Sequence, residues 1–142
     1  MGIRLKIEGA DTIMLDEHSI QKCVFMTDTP DDSNARSTDV VTTIRLTGKI
    51  LTAVDGLPVD DTQKIAKWSM VRAENADSYR VVTVEVIYAD QIVRKYTLPQ
   101  AFIVDYDEAY GDTEGVGEFK LTVRQKKDLF DKTTIDGGFA VS

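Results

Sequence analysis

Hydrophobic and polar residues alternate with a period of two over much of this chain, most regularly between Tyr79 and Lys127. Such alternation predicts half-buried strands, with one face on a core and the other in water. The first strand of this stretch covers Tyr79 to Ala89, with Arg80, Val82, Val84, Val86 and Tyr88 on one face and Val81, Thr83, Glu85 and Ile87 on the other. After a sharp turn at Ala89-Asp90, a second strand runs from Ile92 to Tyr106. It places Ile92, Arg94, Tyr96 and Leu98 on one face, and its pairing resumes beyond Pro99 with Phe102, Val104 and Tyr106. Proline cannot donate to a ladder, so Pro99 marks a break, a bulge or an edge. The third strand, Gly117 to Lys127, turns Phe119, Leu121 and Val123 inward and Glu118, Lys120, Thr122 and Arg124 outward.

Shorter elements precede this meander. Ile3 to Glu8 and Thr12 to Leu15 read as two strands joined by the turn Gly9-Ala10-Asp11. Ser19 to Thr27 reads as a strand with Ile20, Lys22, Val24 and Met26 on one face and Gln21, Cys23 and Phe25 on the other. Val40 to Leu51 is another, with Ile44, Leu46 and Gly48 sharing a face. Asp60 and Gln63 have the spacing of a helix-capping box, and Ile65, Trp68 and Val71 form an apolar stripe on a helix ending near Arg72. Trp68, the one tryptophan, is assigned to the core. Gly137-Gly138 predicts a bend before a short last strand at Phe139 to Val141. The expected fold is mainly β: two packed antiparallel sheets forming a small β-barrel with one short α-helix, as a single domain over residues 1–142.

Two loops stand out. Asp28, Thr29, Pro30, Asp31, Asp32, Ser33, Asn34, Ala35, Arg36 and Ser37 are polar turn formers, more of them than a plain hairpin needs. Gly111, Asp112, Thr113, Glu114, Gly115 and Gly117 form a second loop, whose glycines suggest positive φ.

Composition narrows function mainly by exclusion. The net charge is −7, which disfavours a surface built to neutralise phosphates, and no sequence-specific nucleic-acid binding is expected. No apolar run is long enough for a membrane helix, and the first residues lack the apolar core of a signal peptide. A single cysteine, Cys23, and a single histidine, His18, are too few for a metal site of the usual ligands. Five residues apart on a strand, they also make a poor catalytic pair. Asp105, Asp107, Glu108 and Asp112 are an acidic cluster in which Asp105 and Asp107 share a face, the pattern of a solvated strand end or a subunit contact. No cofactor site and no catalytic residue are expected.

Several runs carry a family resemblance: Thr29 to Asp39, Lys67-Trp68-Ser69, Tyr79 to Val86, Ala101 to Tyr106, Gly111 to Gly117 and Arg124 to Lys127. They resemble a group of small clostridial-type proteins, itself similar to the tube-forming proteins of contractile injection machines: phage tail tubes and the Hcp-type tube protein of type VI secretion. The resemblance implies two packed antiparallel sheets and a helix, copies joined edge to edge into hexameric rings, and rings that stack. It implies a loop, here Asp28 to Ser37, that joins neighbouring rings. Sheath and baseplate proteins are the implied further partners, and the bacterial cytoplasm or a phage-like particle the implied location. An acidic lumen would let acidic cargo slide. A membrane-associated protease label goes with some members of the group, but no membrane segment, nucleophile, base or metal site here supports it. A non-catalytic β-barrel binding module, or a baseplate or tail-completion module, is the alternative reading.

Overall fold

The computed structural model describes residues 2–28, 41–50, 61–111, 117–126 and 132–141. The elements in chain order are strands β1 (Gly2–Glu8), β2 (Thr12–Leu15), β3 (Ile20–Asp28) and β4 (Val41–Ile50), helix α1 (Thr62–Ser69), a 3₁₀ turn at Ala76–Ser78, then β5 (Arg80–Tyr88), β6 (Gln91–Ala109), β7 (Gly117–Gln125), β8 (Thr134–Asp136) and β9 (Phe139–Ala140). The pairing forms one path, β2-β1-β5-β6-β7-β4-β3, with β8 and β9 added to β6. All these pairings are antiparallel.

The two predicted sheets are thus two layers of one open sheet, and the long strand β6 belongs to both. Its first part pairs with β5 on one side and with β8 and β9 on the other. Its second part, from Ala101 to Ala109, pairs with β7. The first layer is therefore β2-β1-β5-β6, and the second is β6-β7-β4-β3. Between them Leu5, Ile7, Ile13, Val82, Val84 and Leu98 of the first layer meet Ile44, Leu46, Phe119, Leu121 and Val123 of the second in one buried cluster.

Bulges set the phase of β6. The extra residues at Pro99 and Gln100, opposite Val81, make the irregularity expected at the proline. A second bulge at Val104 departs from the predicted alternation. Ile103 and Tyr106 face the core, while Val104 is 43% exposed and out of phase with both. A third, at Val93, throws Ile92 off the face of Tyr96 and Leu98, so that it is buried outside the main cluster. In β3 a bulge at Gln21 brings Ile20 onto the core face with Cys23 and Phe25, not with Lys22, Val24 and Met26. A bulge adds one residue to one strand, which a period-two reading of a single chain cannot register.

The Ala89-Asp90 turn has both residues at positive φ, 52° and 60°, as a two-residue hairpin of primed type requires. The helix departs from its predicted cap. Asp61, not Asp60, precedes its first turn, and its side chain makes no cap bond. Its Oδ2 instead accepts from the backbone N–H of Met14 at 2.8 Å, so a tertiary partner on β2 replaces the local one. The helix buries Ile65 and Trp68, with Trp68 2% exposed, as its stripe predicted.

Candidate assembly surface

A sheet stops growing only where its last strand is covered or made unattractive. The first layer does both. Its outermost strand β2 is four residues long. Asp61 takes the Met14 N–H of that edge, and Lys64 Nζ donates to Thr12 O at 3.1 Å. At the other border β8 and β9 have three and two residues and are broken at Gly137-Gly138, with Gly138 at φ 83°.

The layer is locked by a buried cation. Arg80, 5% exposed, donates through Nη1 to Asp11 Oδ1 at 2.7 Å and through Nη2 to Asp77 Oδ2 at 2.6 Å. Its Nε reaches Asp77 Oδ1 at 3.2 Å. The guanidinium lies 5.2 Å from the Trp68 ring centroid, and Trp68 Nε1 donates to Ser78 O at 3.3 Å. Gly9 makes room for this arrangement, since a Cβ there would fall 2.7 Å from Arg80 Cγ and Cδ. Hydrogen bonds from Arg80 hold the Asp77 carboxyl below its ordinary value.

The second layer has longer borders. β3 is nine residues long and pairs only with β4 among the described strands. β5 leaves β6 at Ala101, so on that side no described strand pairs with β6 from Phe102 to Ala109. Because each neighbour in β6-β7-β4-β3 is antiparallel to the next, β3 runs opposite to β6. A second copy in the same orientation would therefore lay its β6 antiparallel to this β3.

The outward face of this layer follows from the register. Row by row it reads Met26, Thr43, Arg124, Phe102; then Val24, Arg45, Thr122, Asp105; then Lys22, Thr47, Lys120, Asp107; and last Lys49, Glu118, Ala109. Asp105 and Asp107 do share a face, as predicted. Glu108 turns to the other side, where it accepts from Tyr106 Oη at 2.8 Å and Tyr110 Oη at 3.0 Å. On the outward face Lys22, Arg45, Lys49, Lys120 and Arg124 outnumber Asp105, Asp107 and Glu118. The chain's charge of −7 therefore does not carry over to this face. The signal was present in the cations at alternate positions of β4 and β7, but only strand order shows that they are neighbours.

Of the first predicted loop, Asp28 ends β3 opposite Val41, and Thr29, Pro30, Asp31, Asp32, Ser33, Asn34, Ala35, Arg36 and Ser37 lie outside the described residues. Of the second, Asp112, Thr113, Glu114 and Gly115 lie outside them. Gly111 and Gly117 are described and neither has positive φ, contrary to expectation. Gly117 is small for another reason: a Cβ there would sit 2.5 Å from the Tyr110 ring. Cys23 is half-buried, and burial pushes its thiol up to about 11, away from the thiolate a nucleophile requires. His18 sits in the β2–β3 turn, where its backbone N–H donates to Asp16 Oδ1 at 2.9 Å. Among the described residues, no group of three or more His, Cys, Asp or Glu could hold a metal ion, and no helix is long and apolar enough to cross a membrane.

No family model matches the sequence, and no curated protein does. Solved structures do. Hcp1 from Flavobacterium johnsoniae is similar at a TM-score of 0.54 and 14% identity, over 97% of this chain and 99% of that one. A chain of the anti-feeding prophage baseplate, in a six-fold symmetrised structure, is similar at 0.55 and 12%, over 95% and 92%. A chain of an extracellular contractile injection system sheath-tube complex is similar at 0.51 and 10%, over 96% and 88%. The fold is thus that of Hcp and the tube proteins of contractile injection systems.

Proposed function

We propose that this protein is a structural protomer of a phage-tail-like or type VI-like tube. In this reading β3 of one copy pairs with the second part of β6 in the next, and the copies close into a ring, hexameric by analogy with the tube fold. One observation carries the reading: two long and mutually antiparallel borders with no described strand beyond them belong to the same layer, while the borders of the other layer are short or capped. Charge favours the junction, because Lys22 stands on one border and Asp105 and Asp107 on the other. Edge pairing of this kind is heterologous, and it closes into rings when the rotation per copy allows. The loop from Asp28 to Ser37 is assigned to contacts between stacked rings. Sheath and baseplate proteins are the further partners, a phage-like particle or the bacterial cytoplasm the setting, residues 1–142 one domain, and the role non-catalytic.

The test is the state of the purified protein by light scattering and electron microscopy. Rings or rods with a central hole are expected. Val104→Lys, which adds a cation to the β6 border facing the next copy's Lys22, should yield monomers with thermal stability changed by no more than about 0.5 kcal/mol. Deleting Asp32 to Ala35 should leave rings that no longer stack. A wild-type protein that stays monomeric at every concentration defeats the reading.

A further inference from the structure

The outward face of the second layer is hollowed into a trough of about 460 Å³ whose lining includes Met26, Arg45, Val104, Asp105, Thr122 and Arg124. We propose that this trough binds an acidic stretch of polypeptide, with Arg45 and Arg124 taking its carboxylates. The binding site lies within one chain, so the proposal goes beyond the assembly reading and does not depend on it.

Three observations support it. First, Arg45 and Arg124 are diagonal neighbours, since Thr43 pairs with Arg124 and Arg45 with Thr122. Like charges this close repel, and neither arginine has a carboxylate partner among the described residues. Among the described residues, the side-chain bond here runs from Arg124 Nε to neutral Thr43 Oγ1 at 3.2 Å. That bond orients the guanidinium and leaves both Nη groups for an incoming acceptor. Second, the corresponding face of the first layer treats its cations differently. Arg4 pairs with Glu85 at 3.0 Å, and Lys6 with Glu8 at 3.8 Å. Lys95, on the same face as Arg4, has no carboxylate partner among the described residues, so what sets the trough apart is two neighbouring arginines that both lack one. Third, the lining is mixed. Met26 and Val104 offer apolar contact, and Asp105 sets a negative charge beside the arginines. A nucleic-acid backbone presents one sign of charge and would meet Asp105 unfavourably. A polypeptide of net negative charge carries carboxylates for the arginines, apolar side chains for Met26 and Val104, and an occasional cation for Asp105. Planar guanidinium groups suit carboxylates through paired N–H donors.

The experiment titrates the full-length protein into a fluorescein-labelled peptide of Glu and Leu with scattered Lys, following anisotropy. A single-stranded DNA of matched net charge is the second probe. The wild-type protein should bind the peptide more tightly than the DNA, with affinity falling as salt rises. Arg45→Gln with Arg124→Gln should weaken peptide binding roughly tenfold or more. Thr122→Glu, which sets a carboxylate between the two arginines, should weaken it comparably and serves if the double variant folds poorly. Absence of peptide binding, undiminished binding by folded variants, or tighter binding of the DNA would each overturn the proposal. Light scattering on the same samples reports assembly separately, so the two readings can fail independently.

Discussion

The two layers share a core and an architecture yet treat their borders and outer faces in opposite ways. In the first, β2 is short and its backbone is engaged by Asp61 and Lys64, the outward cations Arg4 and Lys6 are matched by Glu85 and Glu8, and Arg80 is enclosed by Asp11, Asp77 and Trp68. In the second, β3 and the end of β6 run long with no described partner beyond, and Arg45 and Arg124 have no carboxylate partner among the described residues. A layer whose polar groups are matched within the chain has little to offer another molecule. A layer with open ladders and unmatched charge stores its interactions for a partner. The contrast teaches where to look for a binding surface: in the layer whose borders and cations have no partner among the described residues.

The strongest way to break the contrast is through what the layers share. Phe119 is fully buried in the core between them. Phe119→Ala should cost about 3–5 kcal/mol, and both layers should melt in one transition by circular dichroism. Separate melting of the two would show that the layers are independent units.

Arg80 tests the self-sufficiency of the first layer. Arg80→Met should cost roughly 2 kcal/mol, less than a fully enclosed ion pair would, because water reaches both carboxylates. The pH dependence has a definite sign. Asp77 is held below its ordinary value of 3.8, so the folded state favours the ionised form. Its stabilisation is complete above 3.8 and is lost as pH falls through the lower folded-state value. Chemical denaturation across that acid range should show the loss in wild type and a shallower one in Arg80→Met.

Asp61 sharpens the comparison at least energetic cost. Asp61→Ala should lower stability by about 1 kcal/mol and free the Met14 N–H. The first layer would then gain an open border, and the variant should form irregular aggregates in place of the wild-type species on size-exclusion chromatography. An unchanged elution profile would mean that the length of β2 alone protects it.

Much of the fold was legible in the pattern. The strands of the meander, the hairpin turn, Trp68 in the core and the inward set Phe119, Leu121 and Val123 all appear where alternation places them. These features are local: pleating puts alternate side chains on opposite faces, and burial rewards one of them. The bulges at Val104, Val93 and Gln21 were not legible, because each depends on the partner strand's length against its own. Nor was the role of Asp61, where a strand 47 residues away competes for the cap.

The sequence by itself determined that this chain is mainly β, that one helix packs Trp68 inward, and that its charge is acidic overall. Only the tertiary structure decided that β6 serves two layers, that one layer ends in long borders with no described strand beyond, and that five cations gather on an outward face of an acidic chain. The reason is physical. Alternation tells each residue which side of its own strand to take, but strand order and register decide which residues stand beside it, and both border exposure and local charge are properties of neighbours.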